Sequence, residues 1–409
     1  MLGVGQFGPI SEERQPDRER EAERDAWVVM ASVDGLGPVA FGILLRRFGN
    51  GRSVLEAARR ADGRRVLSDA ADPADRVESV VAGRLVAAAH EADLIVGRAA
   101  ELGLAVLTLE DERFPPRLLA IELPPHLLFI RGDAGALSRP HAVAIVGTRR
   151  PTEHGRRVAA RVAAAVADAG ATVVSGLAVG VDGAAHAAAV GAGGTTVAVL
   201  GSGHGRLFPR AHQRLAEGIV DGGGAVVSEF FPDVGPTKGT FPRRNRLISG
   251  LADATVVVEA PVRSGALITA SWALEQGREC FLAPGPVDAP TSAGCLAFLR
   301  EHWGAARIVA GIPELVDDLG LIGASAEGPR TVAHVELGSV ERALADALAD
   351  GASTTDELVR TVRQPVATVL GGITVLEMRG LVVSAYGRHR LAGRLAGAGP
   401  ARLRRARAG

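Results

Sequence analysis

Two rhythms of apolar residues divide the chain. From about residue 25 to 105, apolar positions recur at helical spacing. Within that stretch residues 36–49 (LGPVAFGILLRRFG) open with a Gly-Pro turn and continue at the same spacing, as one helix-hairpin-helix or SAM-like unit does. Such a unit either touches DNA backbone through its glycine-turn amides or is a plain helical packing module. From 106 to 320 the rhythm changes. Short apolar, β-branched runs at 142–146, 172–174, 196–200, 225–227, 255–258 and 280–283 alternate with alanine-rich helical stretches such as 153–169 and 211–220. Continuous apolar strands between helices predict a parallel sheet buried on both faces, hence an α/β, extended Rossmann-like, doubly wound domain.

The predicted strands share one property at their ends. They run into Gly147-Thr148-Arg149, Ser175-Gly176, Gly201-Ser202-Gly203, Ser228-Glu229, Glu259 and Pro284-Gly285. Small and polar residues thus gather at the carboxyl edge of the sheet. That is where such folds bind ligands, helped by free amides at helix N-termini.

Residues 321–337 read as a linker, and 338–392 as a helical unit closed by a hairpin. Thr354-Thr355-Asp356-Glu357 fits a capping box. Pro365 suits the first turn of the next helix, whose apolar face would be Val366, Val369, Leu370, Ile373 and Leu376. Runs 381–384 and 388–391 around Tyr386-Gly387 predict two short strands. Three helices and a β-wing make a winged-helix pattern, used both for DNA binding and for protein docking. Residues 1–24, glycine-rich and then highly charged, are expected to be disordered, and 393–409 form an arginine-rich tail.

Composition sharpens this picture. A chain of 409 residues with 47% hydrophobic residues can hold two to four domains. Lys+Arg and Asp+Glu are both 46, so a polyanion binder must segregate its positive charge. Segregation is present: residues 11–25 hold seven acids against four arginines, and 380–409 hold seven arginines and no acid. Cys280 and Cys295, 15 apart, give no metal or disulfide framework and fit a reducing compartment. The N-terminus lacks a signal-peptide pattern and no apolar run reaches 18 residues, so a cytoplasmic protein without a membrane partner is expected.

The chemistry concentrates in one place. Lys238 is the only lysine, and residues 238–246 carry Lys238, Arg243, Arg244 and Arg246 without an acid, together with Phe241 and Asn245. Lysine and arginine supply phosphate contacts; a phenylalanine supplies a face on which any base stacks. Arg149 adds a guanidinium at the first strand end. Ser264-Gly265 would offer helix-start amides to an anion, with Thr269 one turn in. The set suits single-stranded nucleic acid held by its backbone and by stacking. It predicts tighter binding of oligo(dT) than of duplex, and a log–log salt slope of roughly −3 if about four charges meet phosphates.

Other motifs carry less. Gly201-Ser202-Gly203-His204-Gly205 lacks the GxGxxG spacing, and the absence of GxxxxGK[ST] excludes a P-loop ATPase. Ser175, Asp182 and His186 could be drawn as a hydrolase triad, but no GxSxG elbow surrounds the serine, so a role at a helix start is expected instead. His204 and His212 lack partners at metal-ligand spacing, and no catalytic residue or cofactor is predicted.

Taken in order, AIVGTR (144–149), VSGLAVGVDGAAH (174–186), FPRRNRLISG (241–250) and SGALITA (264–270) resemble the DNA-processing protein A family (DprA, also called Smf). FPPRL (114–118), Pro124-Pro125, FIRG (129–132), Pro284-Gly285 and Gly294 extend the likeness over about 26–320. The resemblance implies a non-enzymatic binder of single-stranded DNA that protects incoming DNA in natural transformation, loads the RecA recombinase and acts as a homodimer. It implies that Arg149, Lys238, Phe241 and Arg244 line the DNA pocket. Gly147, Thr148, Ser175, Gly176, Asn245, Ser264, Gly265 and Thr269 would complete its floor, beside Arg243 and Arg246. Phe114 and Phe208 stand where the family commonly has tyrosine, and His212 where asparagine is frequent.

The alternative is an enzyme. The predicted fold is also similar to that of nucleoside-monophosphate phosphoribohydrolases, which carry PGGxGTxxE. Here residues 259–265 read EAPVRSG, without the double glycine or the later acid.

Overall fold

A computed structural model describes residues 14–69, 75–321, 337–379, 381–385 and 388–391. Six helices come first: α1 (Arg14–Ala31), α2 (Pro38–Phe48), α3 (Gly51–Arg59), α4 (Gly63–Ser68), α5 (Ser79–His90) and α6 (Ala92–Glu101). Then follow β1 (Ala105–Thr108), α7 (Pro116–Leu119), β2 (Leu127–Gly132), β3 (Ala142–Val146), α8 (Glu153–Asp168), β4 (Thr172–Ser175), α9 (Val181–Gly191), β5 (Thr196–Val199), α10 (Gln213–Asp221), β6 (Ala225–Ser228) and α11 (Thr240–Gly250). The α/β part closes with β7 (Ala254–Val257), α12 (Gly265–Glu275), β8 (Glu279–Leu282), α13 (Ala293–Glu301), β9 (Ala306–Ile308) and α14 (Ile312–Asp318). Last come α15 (Ser339–Ala349), α16 (Thr355–Val362), α17 (Val366–Met378), β10 (Val382–Ala385) and β11 (Arg388–Leu391).

The chain falls into two compact units, Met1–Ser138 with Val197–Leu247, and Arg139–Thr196 with Ile248–Gly409. In the first, strands run in the order β1-β2-β6-β5. β5 and β6 are parallel (Val197 opposite Ala225), whereas β2 is antiparallel to β6 (Ile130 opposite Val227) and β1 antiparallel to β2. Six strands were expected, all parallel; β1, β2 and β9 are additions, and the first two make the sheet mixed. The helices of this unit bury Trp27, Met30, Leu44, Val54 and Leu85 in one cluster that also takes in Phe129 and Phe231.

Helix α1 begins at Arg14, eleven residues before Asp25, where order was expected to start. The disorder expected for 1–24 is therefore corrected from residue 14 onward; 1–13 lie outside the described residues. The cause is a long-range tie. Glu23 accepts from the Trp27 indole (2.6 Å) and from the amides of Gly51 (2.5 Å) and Arg52 (3.1 Å), which holds the charged helix to the start of α3. In the helix-hairpin-helix-like stretch, the Gly37 and Gly49 amides donate to Gly35 O and Leu45 O. Neither turn amide is left over for a phosphate.

In the second unit the order is β4-β3-β7-β8-β9, all parallel, with Ala144 opposite both Val174 and Thr255, and Cys280 opposite Ala306. Helices α8, α9 and α14 cover Val143, Ile145, Val173, Val256 and Phe281 on one side. Helix α12 packs on β7 and β8, and α13 on β9. Helices on both faces make this the doubly wound arrangement expected. Cys280 and Cys295 are free and fully buried; burial raises their pKa to about 12 and about 11, so both are inert thiols.

The C-terminal helices and hairpin have their own core of Leu344, Leu348, Leu358, Val369, Ile373 and Leu376. The capping box is formed: Thr354 Oγ1 accepts from Glu357 N, and Glu357 accepts from the amides of Ser353 (2.7 Å) and Thr354 (2.9 Å). Those bonds lower the Glu357 pKa to about 2. Pro365 sits at the N-cap of α17, one residue ahead of the helix. Val366 and Leu370 are 52% and 46% exposed, so two of the five residues expected on the apolar face look outward instead. The Tyr386-Gly387 turn, the linker from 322 to 336 and the arginine-rich tail lie outside the described residues.

Candidate nucleic-acid interface

The first unit carries the basic stretch. Loop residues ahead of α11 are tied by Thr237, whose hydroxyl accepts from Gly239 N (3.3 Å) and Thr240 N (3.2 Å). Lys238 lies in this loop, exposed, with no carboxylate partner among the described residues. Phe241, in the first turn of α11, is half-buried against Gly201 at the end of β5. A Cβ on Gly201 would stand 2.7 Å from the Phe241 ring, so glycine is what lets the ring sit there. The Phe208 ring meets it edge to face, centroids 6.0 Å apart, and is itself 44% exposed. Phe208 was read from the sequence only as a departure from a family pattern. As a second ring it could have been found from its place after the β5 glycine loop.

The arginines of the same stretch turn the other way. Arg246 forms a two-point pair with Glu229 (Nη1–Oε1 2.7 Å, Nη2–Oε2 2.8 Å), both side chains 3% exposed. Its Nε donates to Leu123 O and its Nη1 also to Arg243 O. Arg243 reaches the same carboxylate at 3.2 Å and lies over the Phe230 ring. Arg244 is buried and donates to Val199 O at the end of β5. Asn245 is buried as well. Of the four cations expected to meet phosphate, Arg244 and Arg246 are thus turned inward. For Arg246 the physical reason is Glu229, a buried carboxylate that must be neutralised where it stands; Arg244 is held by the Val199 carbonyl at the end of β5.

Two histidines of this unit are held neutral. Burial lowers the pKa of His126 to about 4, with Arg246 adding to the effect; its ring stacks on Phe41 at 4.5 Å. Burial lowers that of His204 to about 4 against its bond to Val226 O. The Ser202 hydroxyl, fully buried beside Gly201, has no hydrogen-bond partner among the described residues.

In the second unit the strand ends present amides and hydroxyls. Gly147 allows β3 to pass Val181 and Glu259 O; a Cβ there would stand 2.6 Å from Val181. Thr148 donates its amide to Glu259 O (2.6 Å) and accepts from Val181 N, and Arg149 follows, exposed. Ser175 is fully buried, its hydroxyl donating to Ile145 O (2.5 Å). Gly176 N and Ala178 N point to Asp182 (3.2 and 3.4 Å), and His186 Nδ1 bonds Thr196 (2.7 Å). The serine is on a carbonyl and the imidazole on a threonine, so Ser175, Asp182 and His186 form no proton relay of the triad kind. Ser264 caps α12 by accepting from Ala266 N (3.3 Å); Gly265 is exposed and Thr269 buried. Glu259 accepts from Thr152 N (2.9 Å) and Thr152 Oγ1 (2.5 Å) at the start of α8. Among the described residues there is no His/Cys/Asp/Glu group able to hold a metal, and no helix long and apolar enough to cross a membrane.

Comparison with known proteins agrees with the resemblance. The family described as DNA recombination-mediator protein A matches residues 105–320, and the DprA winged helix domain matches 328–388. Protein Smf of Escherichia coli (strain K12) is 46% identical over 198 residues, 48% of this chain and 51% of that protein. The chain thus spans about half the length of that relative. DNA processing protein DprA of Bacillus subtilis (strain 168) is 38% identical over 218 residues, 52% of this chain and 73% of the relative. The crystal structure of DNA processing protein A from Streptococcus pneumoniae superposes with a TM-score of 0.59 at 28% identity, covering 72% of this chain and 97% of that one.

Proposed function

This chain belongs to the DNA recombination-mediator protein A family, and we propose that it binds single-stranded DNA without catalysing a reaction. The observation that carries the proposal is the Phe241 ring, set against Gly201 beside a second ring, with the exposed Lys238 three residues ahead. A ring that is half-open to solvent offers a stacking face to an unpaired base, and a duplex has no such base to give. Lys238 supplies charge to the backbone. In the second unit, taken by itself, exposed Arg149 offers a further positive charge, whereas the amides of Thr148 and Gly176 are bonded to Glu259 O and Asp182 and serve the local backbone with Gly147 and Gly265. Arg246, and Arg243 with it, are assigned to hold Glu229 and the start of α11. Arg244 and Asn245 shape the strand end, and Ser175, Ser264 and Thr269 the local backbone.

In this proposal the protein protects incoming strands in natural transformation, loads RecA recombinase and works as a homodimer, parts that rest on family membership alone, and it does so in the cytoplasm, which the two free cysteines favour. The domain organisation that goes with it is a helical unit at 25–105, a DNA-binding α/β domain at 106–320 and a winged helix at 338–392. The experiment is a gel shift with oligo(dT) and duplex of equal length, on wild type and Lys238→Ala. Tighter binding of the single strand, weakened in the variant, is expected. Equal affinity for both DNAs would refute the proposal.

A further inference from the structure

Between the end of β5 and the body of α10 the chain carries Arg206, Arg210 and Arg214, four residues apart, with Phe208 among them. From Gly201 to Ala216 there is no acid. All three arginines are exposed, and none has an ion pair among the described residues. Several other exposed arginines of this unit are matched, Arg98 with Asp233 and Glu101, Arg65 with Asp62 and Arg113 with Asp111, and those without a carboxylate, such as Arg47, Arg59 and Arg64, are tied to carbonyl or hydroxyl oxygens. Asp233, which lies against Gly205 of this loop, is taken by Arg98. Arg210 and Arg214 line one open hollow of about 520 Å³ with Ala211, Gln213 and Glu217. Glu217 is the single acid there, and it accepts from Gln213 (3.3 Å).

We propose that a single strand seated at Phe241 continues across Phe208 and lays its phosphodiester backbone on Arg206, Arg210 and Arg214. This rests on the proposed function and extends its site along the chain. The ring pair gives the continuity, because Phe208 touches Phe241 on one side and keeps 44% of its surface open. Three unmatched guanidiniums beside an exposed ring are the elements of a sequence-tolerant single-strand track.

The test uses the full chain, with (dT)6 and (dT)20 as probes, and compares wild type with the Arg206→Ala/Arg210→Ala/Arg214→Ala triple variant and with Phe208→Ala. Wild type is expected to bind the longer strand more tightly. In the triple variant affinity for (dT)20 falls roughly tenfold or more, and the salt slope flattens by about 2. Affinity for (dT)6 stays within about twofold, and Phe208→Ala weakens (dT)20 more than (dT)6. The triple Arg→Lys variant, which keeps the charge, restores most of the loss. An unchanged affinity of the triple variant for both lengths overturns the proposal, as does an equal loss for both in a variant that melts like wild type. Wild type that gains nothing from length overturns this track but leaves the Phe241 site standing; wild type that binds neither probe overturns both.

Discussion

Both units end a strand in a buried glutamate, and each neutralises it differently. Glu229, after β6, is gripped by the guanidiniums of Arg246 and Arg243. Glu259, after β7, accepts instead from the amide and hydroxyl of Thr152 where α8 begins, and Gly155 leaves it room: a Cβ there would stand 2.3 Å from its carboxyl carbon. A helix N-terminus carries partial positive charge and stabilises the carboxylate without a cation. The difference decides which charges remain for a ligand. In the first unit two arginines of the basic stretch are consumed by an internal acid, and Lys238 is left exposed. Among the described residues of the second unit no arginine pairs with Glu259.

The largest effect should come from removing the charge that the arginines serve. Glu229→Gln leaves Arg246 buried without its counter-ion and should cost about 3–5 kcal/mol in denaturant unfolding. Glu259→Gln, which disturbs only hydrogen bonds, should cost about 1–3 kcal/mol. Equal costs would erase the contrast between the two sites.

Acid should distinguish the units next. His126 and His204, both in the first unit, have folded pKa values near 4 against an ordinary 6.5. The unfolded chain takes up their protons first. Stability is therefore full above about pH 6.5 and falls as pH drops toward 4, by up to about 1.4 kcal/mol per pH unit for each histidine. The slope of unfolding free energy against pH should flatten in His126→Gln/His204→Gln. A wild-type stability unchanged between pH 7 and 4.5 would contradict the buried, neutral rings.

Binding effects follow. Phe241→Ala should cost about 1–3 kcal/mol in single-strand affinity. Lys238→Ala and Arg149→Ala should each reduce the salt slope by about 0.7, with folding unaffected. Arg246→Ala should lower stability first; weakened DNA binding in a fully stable Arg246→Ala protein would put that arginine back among the phosphate contacts. Smallest is the capping box: Glu357 lends stability that is present above about pH 4.5 and lost as pH falls through about 2, and thermal melts of Glu357→Gln should lack that dependence.

Much of the fold was legible because its signals are local. The strand expected at 142–146 is β3, residue for residue, and the capping box at Thr354 is formed as its spacing requires. Strands β1 and β2 escaped because they are antiparallel additions whose partners are set by long-range pairing, not by the βα rhythm. The site was legible in residue type and less so in orientation. Arg246 reads as a free cation in a nine-residue window, since its partner Glu229 lies 17 positions upstream and only the folded sheet brings them together. In α17 the residues at 366 and 370 match a helical period but sit outside the buried arc of Val369, Ile373 and Leu376. Charge runs and apolar periods name candidates; burial of a distant counter-ion decides which way they face.

The central claim is that an unpaired base stacks on the ring seated against Gly201. Fluorescence anisotropy of labelled (dT)20 against an equal-length duplex, on wild type and Phe241→Ala, tests it most directly. The account predicts that wild type prefers the single strand by at least tenfold and that the variant loses most of that preference while melting like wild type. A Phe241→Ala protein that retains the full preference would contradict it.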